Sequence, residues 1–306
     1  MMPLSSFKVL IIGGGFVSQT LSESLTRGGC EVDVLVQSEI DYLNPKKLGV
    51  LFGSQSSMGR SKYSLVINAC GVTGKKSSLD CDKDKEVTWK VNAEFPVRLA
   101  KLCYDFSVPL VHISTGCLFN DGVFDEADSP NFGLFNDNIP FYQQSKHAAE
   151  RGLMGLIDEL KGGYFKSAAQ VYIFRIRLPF GTVISPKNFA CKLIKFDSLI
   201  DAYNSYTDLS LLNLVVYSIL WRIHDGAPLD SGIYNVVNDG VLSPFLIEEA
   251  FFNAGRPRKF GRLNKQDFAT SPNCTLSNRK LKLALNLDGK IPTAQQALTE
   301  VLKQIN

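Results

Sequence analysis

An excess of one charge is missing from this chain: Lys and Arg number 33 against 30 Asp and Glu over 306 residues. No basic run is interleaved with aromatics either, so a nucleic-acid footprint is excluded. Paired metal-ligating motifs are missing as well. The seven cysteines stand at 30, 70, 81, 103, 117, 191 and 274, with no C-x-x-C pair and no histidine at zinc spacing. No metal site is expected, and scattered thiols in odd number fit a reducing compartment. Histidine is scarce, and His112, His147 and His224 do not pair by spacing. No apolar run is long enough to span a bilayer, and Met1 to Lys8 lacks the charged-then-apolar layout of a signal peptide. The expectation is a soluble, cytoplasmic protein with neither nucleic acid nor membrane as partner.

What is present is an alternation of short β-branched runs with longer amphipathic stretches, the pattern of a parallel sheet covered by helices. Strands are expected at Phe7 to Ile12, Glu31 to Val36, Val50 to Phe52, Leu65 to Asn68, Leu110 to Ser114 and Val171 to Ile176, with a late one at Gly232 to Val237. Helices fit Phe16 to Arg27, Glu86 to Tyr104 and Phe141 to Leu160, the last stopped by Gly162-Gly163. The fold class is therefore α/β, a Rossmann-type doubly wound parallel sheet with a smaller C-terminal substrate lobe. After Arg177 prolines and short helices take over. This divides the chain into a dinucleotide-binding domain, 1–177, and a substrate lobe, 178–306, interleaved with the sheet.

Ile12-Gly13-Gly14-Gly15-Phe16-Val17-Ser18 follows the first strand and opens a helix. Glycines let the backbone turn tightly and approach a pyrophosphate, whose charge then meets free N–H groups at the helix N-terminus. Gly13, Gly15, Phe16 and Val17 are cofactor candidates on this ground, and Ser18 replaces the third glycine of the usual pattern. The second strand leads into Val36-Gln37-Ser38, with no carboxylate where an NAD-selective site usually places one. Ser38 can donate to a 2′-phosphate, so NADP(H) is favoured, with NAD(H) left open. Asn68-Ala69-Cys70 follows a strand where small residues let the chain pass beneath the cofactor, and Thr73-Gly74 carries it on toward substrate. Asn92 is either a surface amide or a ligand to the backbone near the active site.

Tyr142 and Lys146 lie four apart on a helix and so share a face. An ammonium near a phenol favours the phenolate, which lets Tyr142 act as an acid near neutral pH, and Lys146 can also hold the nicotinamide ribose. Both therefore count as catalytic and as cofactor-binding candidates. Thr115 and Cys117 stand at and just past the carboxyl end of the strand before them. A thiol there can move a proton on a carbon α to a ketone, although a free cysteine is also a common buried small hydrophobe. Arg177 and Arg175 alternate along a strand, so at least one can face a diphosphate or make a structural ion pair.

In this order the residues resemble the extended short-chain dehydrogenase/reductases. Asn68 to Gly74 (NACGVTG), Ser114 to Phe119 (STGCLF), Tyr142 to Lys146, Arg175 to Pro179 (RIRLP), Ser185 to Lys192 (SPKNFACK) and Gly232 to Asn235 (GIYN) are similar to the plant-type UDP-4-keto-6-deoxyglucose 3,5-epimerase/4-reductases of UDP-L-rhamnose synthesis. Two places depart from that pattern: the glycine loop, and Ser271-Pro272-Asn273, where the family tends to a P-R-S-N-like run. The resemblance implies an NADPH-dependent enzyme acting on a nucleotide 4-keto-6-deoxyhexose, with catalytic residues Thr115, Cys117, Tyr142, Lys146 and Lys192. Lys192 would be the second acid/base, with a lysine on a solvated helix as the alternative. Substrate contacts would come from Thr73, Gly74, Asn92, Arg177 and Asn188, and a homodimer would form through the two long helices. Two other readings stay open: a 4-keto reductase alone, like the dTDP-4-dehydrorhamnose reductases, or a catalytically silent cofactor-binding subunit.

Overall fold

The first half of the chain runs β1 (Lys8–Ile12), α1 (Phe16–Arg27), β2 (Glu31–Leu35), α2 (Pro45–Gly53), β3 (Leu65–Asn68), α3 (Lys85–Trp89), α4 (Phe95–Asp105), β4 (Leu110–Thr115), β5 (Gly122–Phe124) and α5 (Phe141–Lys161). It continues with β6 (Val171–Ile176), α6 (Phe189–Leu193), β7 (Ser198–Ile200), α7 (Leu209–His224), β8 (Gly232–Asn235), α8 (Pro244–Asn253), β9 (Gly261–Leu263), β10 (Cys274–Leu276), α9 (Arg279–Leu285) and α10 (Ala294–Gln304). The computed structural model describes residues 6–37, 41, 43–53, 61–74, 78–132, 139–161, 170–268 and 273–305. Ser38, Glu39, Gly162-Gly163 and Ser271-Pro272 lie outside them.

A six-stranded sheet has the order β2-β1-β3-β4-β6-β8, and two small sheets pair β10 with β5 and β7 with β9. β1 runs parallel to both β2 and β3, and β3 runs parallel to β4. The chain leaves β1 for β2 on one side and then crosses to β3 on the other, so the strand order reverses at β1. In open α/β sheets ligands bind outside the carboxyl ends of the strands at such a reversal.

The chain divides into two compact units, one of 1–114, 133–174 and 216–233, the other of 115–132, 175–215 and 234–306. Beside the expected interleaving about 177/178, the second unit also takes in 115–132 and 175–177, and 216–233 goes to the first. Residues 216–233 join the first unit because Trp221 packs edge-on to Phe7, Tyr217 donates to Ser24 O and Tyr172 donates to Leu229 O. Nothing in composition marks these crossings. In the first unit Leu10, Ile12, Val66 and Leu110 share a core with Phe95, Leu99, Leu153 and Ile157 from α4 and α5. Val9 and Ile11, on the opposite face of β1, are buried too, so both faces are covered, as the near-continuous apolar strands require. In the second unit, Ile247 and Ala250 of α8 meet Ala294, Leu298 and Val301 of α10. A capping box between Thr293 and Gln296 starts α10.

Two expected elements are corrected. Val50 to Phe52, read as a strand, lies in α2. Asn44 accepts from Lys46 N at 3.0 Å and Pro45 supplies the fixed φ of a first helical position, a start signal stronger than three apolar residues. The single helix expected over Glu86 to Tyr104 is three pieces, α3, a π-helical turn at Lys90–Glu94 and α4. Pro96 sits in the first turn of α4, where its missing N–H is tolerated, and the π turn absorbs the break. Among the described residues no helix is long and apolar enough to cross a membrane.

Candidate active site

In the first unit the glycine loop is pressed against the chain leaving β3. Gly13 has φ +113°, and a Cβ there would lie 2.8 Å from both Cα and N of Cys70. Gly13 N donates to Leu35 O at 2.8 Å and Ala69 N to Ile12 O at 3.0 Å, fixing the ends of the three strands side by side. Gly15 is the N-cap of α1 with extended backbone and no side-chain cap, and a Cβ on it would meet nothing within 4 Å. The helix therefore opens with N–H groups that no capping side chain takes, onto free space, the arrangement that suits a pyrophosphate. Phe16 is buried and Val17 half-buried behind it, and Ser18 is 1 % exposed, small enough for close packing. These residues fit a dinucleotide.

Beneath this loop lies a buried polar cluster. Asn68 Nδ2 donates to His112 Nδ1 at 3.1 Å, and its Oδ1 accepts from the thiol of Cys70 at 3.0 Å. Burial first, then the nearby Lys146, holds His112 well below the ordinary imidazole range, so it is a neutral core group. Asn92 accepts from Val72 N at 2.8 Å and donates to Val72 O and to Ser145 Oγ. Both ends of its amide are thus committed to tying the loop after β3 to α5, which is the reading of Asn92 as a ligand to the backbone and leaves no end of the amide for substrate. Thr73 is exposed and Gly74 half-buried in the same loop.

On α5, Tyr142 is half-buried and Lys146 only 4 % exposed. The Lys146 amine donates to Ile113 O at 3.0 Å. Burial lowers it to about 8, against the pull of Cys70 and Glu150, which favour the charge. Gly71 passes over it so closely that a Cβ there would lie 3.6 Å from the amine. Glu150, one turn beyond Lys146, accepts from Ser114 Oγ at 2.5 Å.

In the second unit, β4 runs into a 3₁₀ turn, Gly116–Leu118, capped by Thr115, whose Oγ1 accepts from Cys117 N at 3.1 Å. Arg177 Nη1 donates to Cys117 Sγ at 3.1 Å, and its Nη2 donates to Asn204 Oδ1. Cys117, Arg177, Asn204 and Tyr206 line a cavity of about 460 Å³ whose other walls, Ser198 apart, are apolar, among them Phe189, Phe196, Leu199 and Ile200. Gly116 lets Leu276 and the Arg177 stem close over the turn, since a Cβ there would lie 2.6 Å from Leu276 Cδ1 and 3.1 Å from Arg177 Cδ. Arg175 is set apart from Arg177, its guanidinium 4.8 Å over the Phe119 ring.

Lys192 is half-buried on α6 and is not among the residues lining this cavity. Burial, then Lys187, lowers its amine below the usual lysine range. Asn188 is fully buried: its Nδ2 donates to Gly181 O and Val183 O, and its Oδ1 accepts from Ala190 N as the N-cap of α6. It holds a loop together and does not stand open to substrate. Asn204, Tyr206 and Glu150 carried no local motif, and only the tertiary fold reveals them.

The profile of the RmlD substrate binding domain matches residues 7–306. The Arabidopsis thaliana bifunctional dTDP-4-dehydrorhamnose 3,5-epimerase/dTDP-4-dehydrorhamnose reductase is 30% identical over 192 residues, 60% of this chain and 56% of that protein, so the match spans little more than half the relative's length. In structure, the L780 UDP-rhamnose synthase of Acanthamoeba polyphaga mimivirus superposes with a TM-score of 0.77 at 20% identity, covering 97% of this chain and 99% of that one. The dTDP-4-dehydrorhamnose reductase of Bacillus anthracis, in complex with NADP, gives 0.73 at 18% identity, covering 97% and 98%. With the glycine loop at the strand reversal and the T-G-C turn at the end of β4, a match over nearly the whole chain places it: the chain belongs to the RmlD substrate binding domain family.

Proposed function

We propose that this chain uses NADPH to reduce the C4 ketone of a nucleotide-linked 4-keto-6-deoxyhexose after epimerising C3 and C5, converting UDP-4-keto-6-deoxyglucose to UDP-L-rhamnose. The observation that carries this reading is the Cys117 sulfur, held by Arg177 at 3.1 Å on the wall of a cavity of substrate size. A reductase needs no thiol there, whereas an epimerase needs an acid/base at a carbon α to the ketone. The relatives named above support the same class of sugar.

Gly13, Gly15 and the start of α1 would hold the pyrophosphate, and Lys146 the nicotinamide ribose. NADPH supplies the hydride when bound. Thr115 retains a hydroxyl proton given to no acceptor among the described residues, and it would hydrogen-bond the C4 oxygen, where negative charge develops in both epimerisation and reduction. Cys117 exchanges the proton on one face of the ring; Lys192, the candidate from the resemblance for the opposite face, does not line this cavity, and Tyr142 is the expected donor of the final proton to the C4 oxygen.

The test is incubation of the purified chain with UDP-4-keto-6-deoxyglucose in heavy water without NADPH, followed by NMR. Deuterium at C3 and C5 is expected, and UDP-L-rhamnose once NADPH is added. Reduction of a pre-epimerised ketone with no deuterium exchange would leave the 4-keto reductase alone.

A further inference from the structure

We infer that Arg177, braced by Asn204, is the electrostatic partner of the Cys117 sulfur during proton exchange at the sugar, and not a ligand of the diphosphate; this rests on reading Cys117 as the exchanging group. The guanidinium is 2 % exposed and gives Nη1 to the sulfur at 3.1 Å. A guanidinium cannot lose its proton in a protein, so the charge beside the sulfur is permanent.

Its position is overdetermined. Nη2 is bound by Asn204 Oδ1, which also accepts from Cys274 N at 3.1 Å and is thereby fixed to β10. The backbone N of Arg177 donates to Thr207 Oγ1 at 3.0 Å, and that hydroxyl donates onward to Val236 O at 2.6 Å. Gly116 leaves room for the Arg177 stem to reach the turn. Arg175, two residues earlier, lies over Phe119 instead, so the two arginines of R-I-R-L-P do different work.

The chemical consequence concerns the half of the exchange in which Cys117 is the acid. The S–H bond breaks, its electron pair stays on sulfur beside the guanidinium, and the enolate pair forms the new C–H bond as the C4 oxygen returns to a ketone. Arg177 transfers no proton. It favours proton delivery by stabilising the sulfur anion that delivery leaves behind. Asn204 is a positioning residue for Arg177.

The test is alkylation of Cys117 by iodoacetamide in the intact chain, read as the modified Cys117 peptide by mass spectrometry. The ratio of rates at about pH 7.5 and about pH 9.5 cancels changes in access. The other titratable or charged groups at this site are Tyr206, Cys274 and Arg175. Burial raises Tyr206 and pushes Cys274 up to about 11, and arginine stays charged, so none of them titrates in the window. In Arg177→Met the ratio is expected to fall about tenfold, with recovery to within about threefold of wild type in Arg177→Lys. Asn204→Leu keeps the charge but releases it, and about a threefold fall is expected. An unchanged ratio in folded Arg177→Met and Asn204→Leu, checked by circular dichroism, overturns the proposal; should Arg177→Met fail to fold, Asn204→Leu decides alone. Absence of deuterium exchange by the wild type removes the epimerase reading itself, and is recognised without any variant.

Discussion

The Cα of Cys70 lies 2.8 Å from the point that a Cβ on Gly13 would occupy. Backbone meets backbone there, so no rotamer change relieves the clash, and φ +113° at Gly13 is a conformation that L side chains avoid. Gly13→Ala is therefore expected to lose about 2 kcal/mol of stability or more, together with NADPH binding. Thermal unfolding and quenching of protein fluorescence by NADPH check the two halves. Gly15→Ala serves as the control, because a Cβ there meets nothing within 4 Å. It should fold with near wild-type stability while weakening the coenzyme, whose approach the methyl obstructs.

Lys146 destabilises the fold it serves. Its folded-state pKa, lowered by burial to about 8, lies below the ordinary lysine value of 10.5, so below about pH 8 both folded and unfolded chains carry the charge and the full penalty applies. Between there and 10.5 the unfolded chain binds the extra proton, and stability rises with pH by up to about 3 kcal/mol. Lys146→Met should thus be more stable than wild type at pH 7 by about 1–2 kcal/mol, allowing for the lost bond to Ile113 O. Melting curves of the two proteins should converge as pH rises from about 8 toward about 10, and reductase activity should be absent in the variant throughout.

How much of this was readable beforehand follows from where the causes lie. β1, α1, β3, β4 and β6 could be read because apolar runs, glycines and helix periodicity are local signals, and the first unit repeats them in order. Val50 to Phe52 misled because a short apolar run is ambiguous, while Asn44-Pro45, the informative pair, stands just outside it. That Thr115 and Cys117 lie at a strand's carboxyl end could be read from the sequence, but the thiol's partner could not. Arg177 is 60 residues away in sequence and Asn204 another 27, and no spacing rule connects them. Asn188 shows the reverse failure, and Asn92 stands between two readings: an asparagine in a motif looks the same whether it faces a ligand or closes a loop, and only hydrogen-bond partners separate the two.

That distinction is testable at Asn188. Its amide holds Gly181 O, Val183 O and Ala190 N inside a fully buried site, so Asn188→Ala leaves backbone groups unsatisfied. A stability loss of about 1–3 kcal/mol is expected. At a temperature where the variant is folded, KM for the keto-sugar should stay within about twofold of wild type. A raised KM with unchanged melting temperature would return Asn188 to the substrate.

Under the proposed function, the T-G-C turn allows epimerisation to be separated from reduction. Cys117→Ser keeps the turn, since Cys117 N still reaches Thr115 Oγ1, but it replaces the thiol with a group far too weakly acidic to exchange protons. Deuterium exchange at C3 and C5 should fall at least about a hundredfold, while an already epimerised ketone is still reduced. Gly116→Ala acts one step away, by pushing Leu276 and the stem of Arg177. It should lower exchange by about tenfold and reduction by less, because in the proposed role the displaced guanidinium serves the sulfur and not the hydride step. NMR of the exchanged sugar and NADPH oxidation with the pre-epimerised ketone give the two rates separately. Equal loss of both rates in Cys117→Ser would mean that the residue holds the turn together and exchanges no proton.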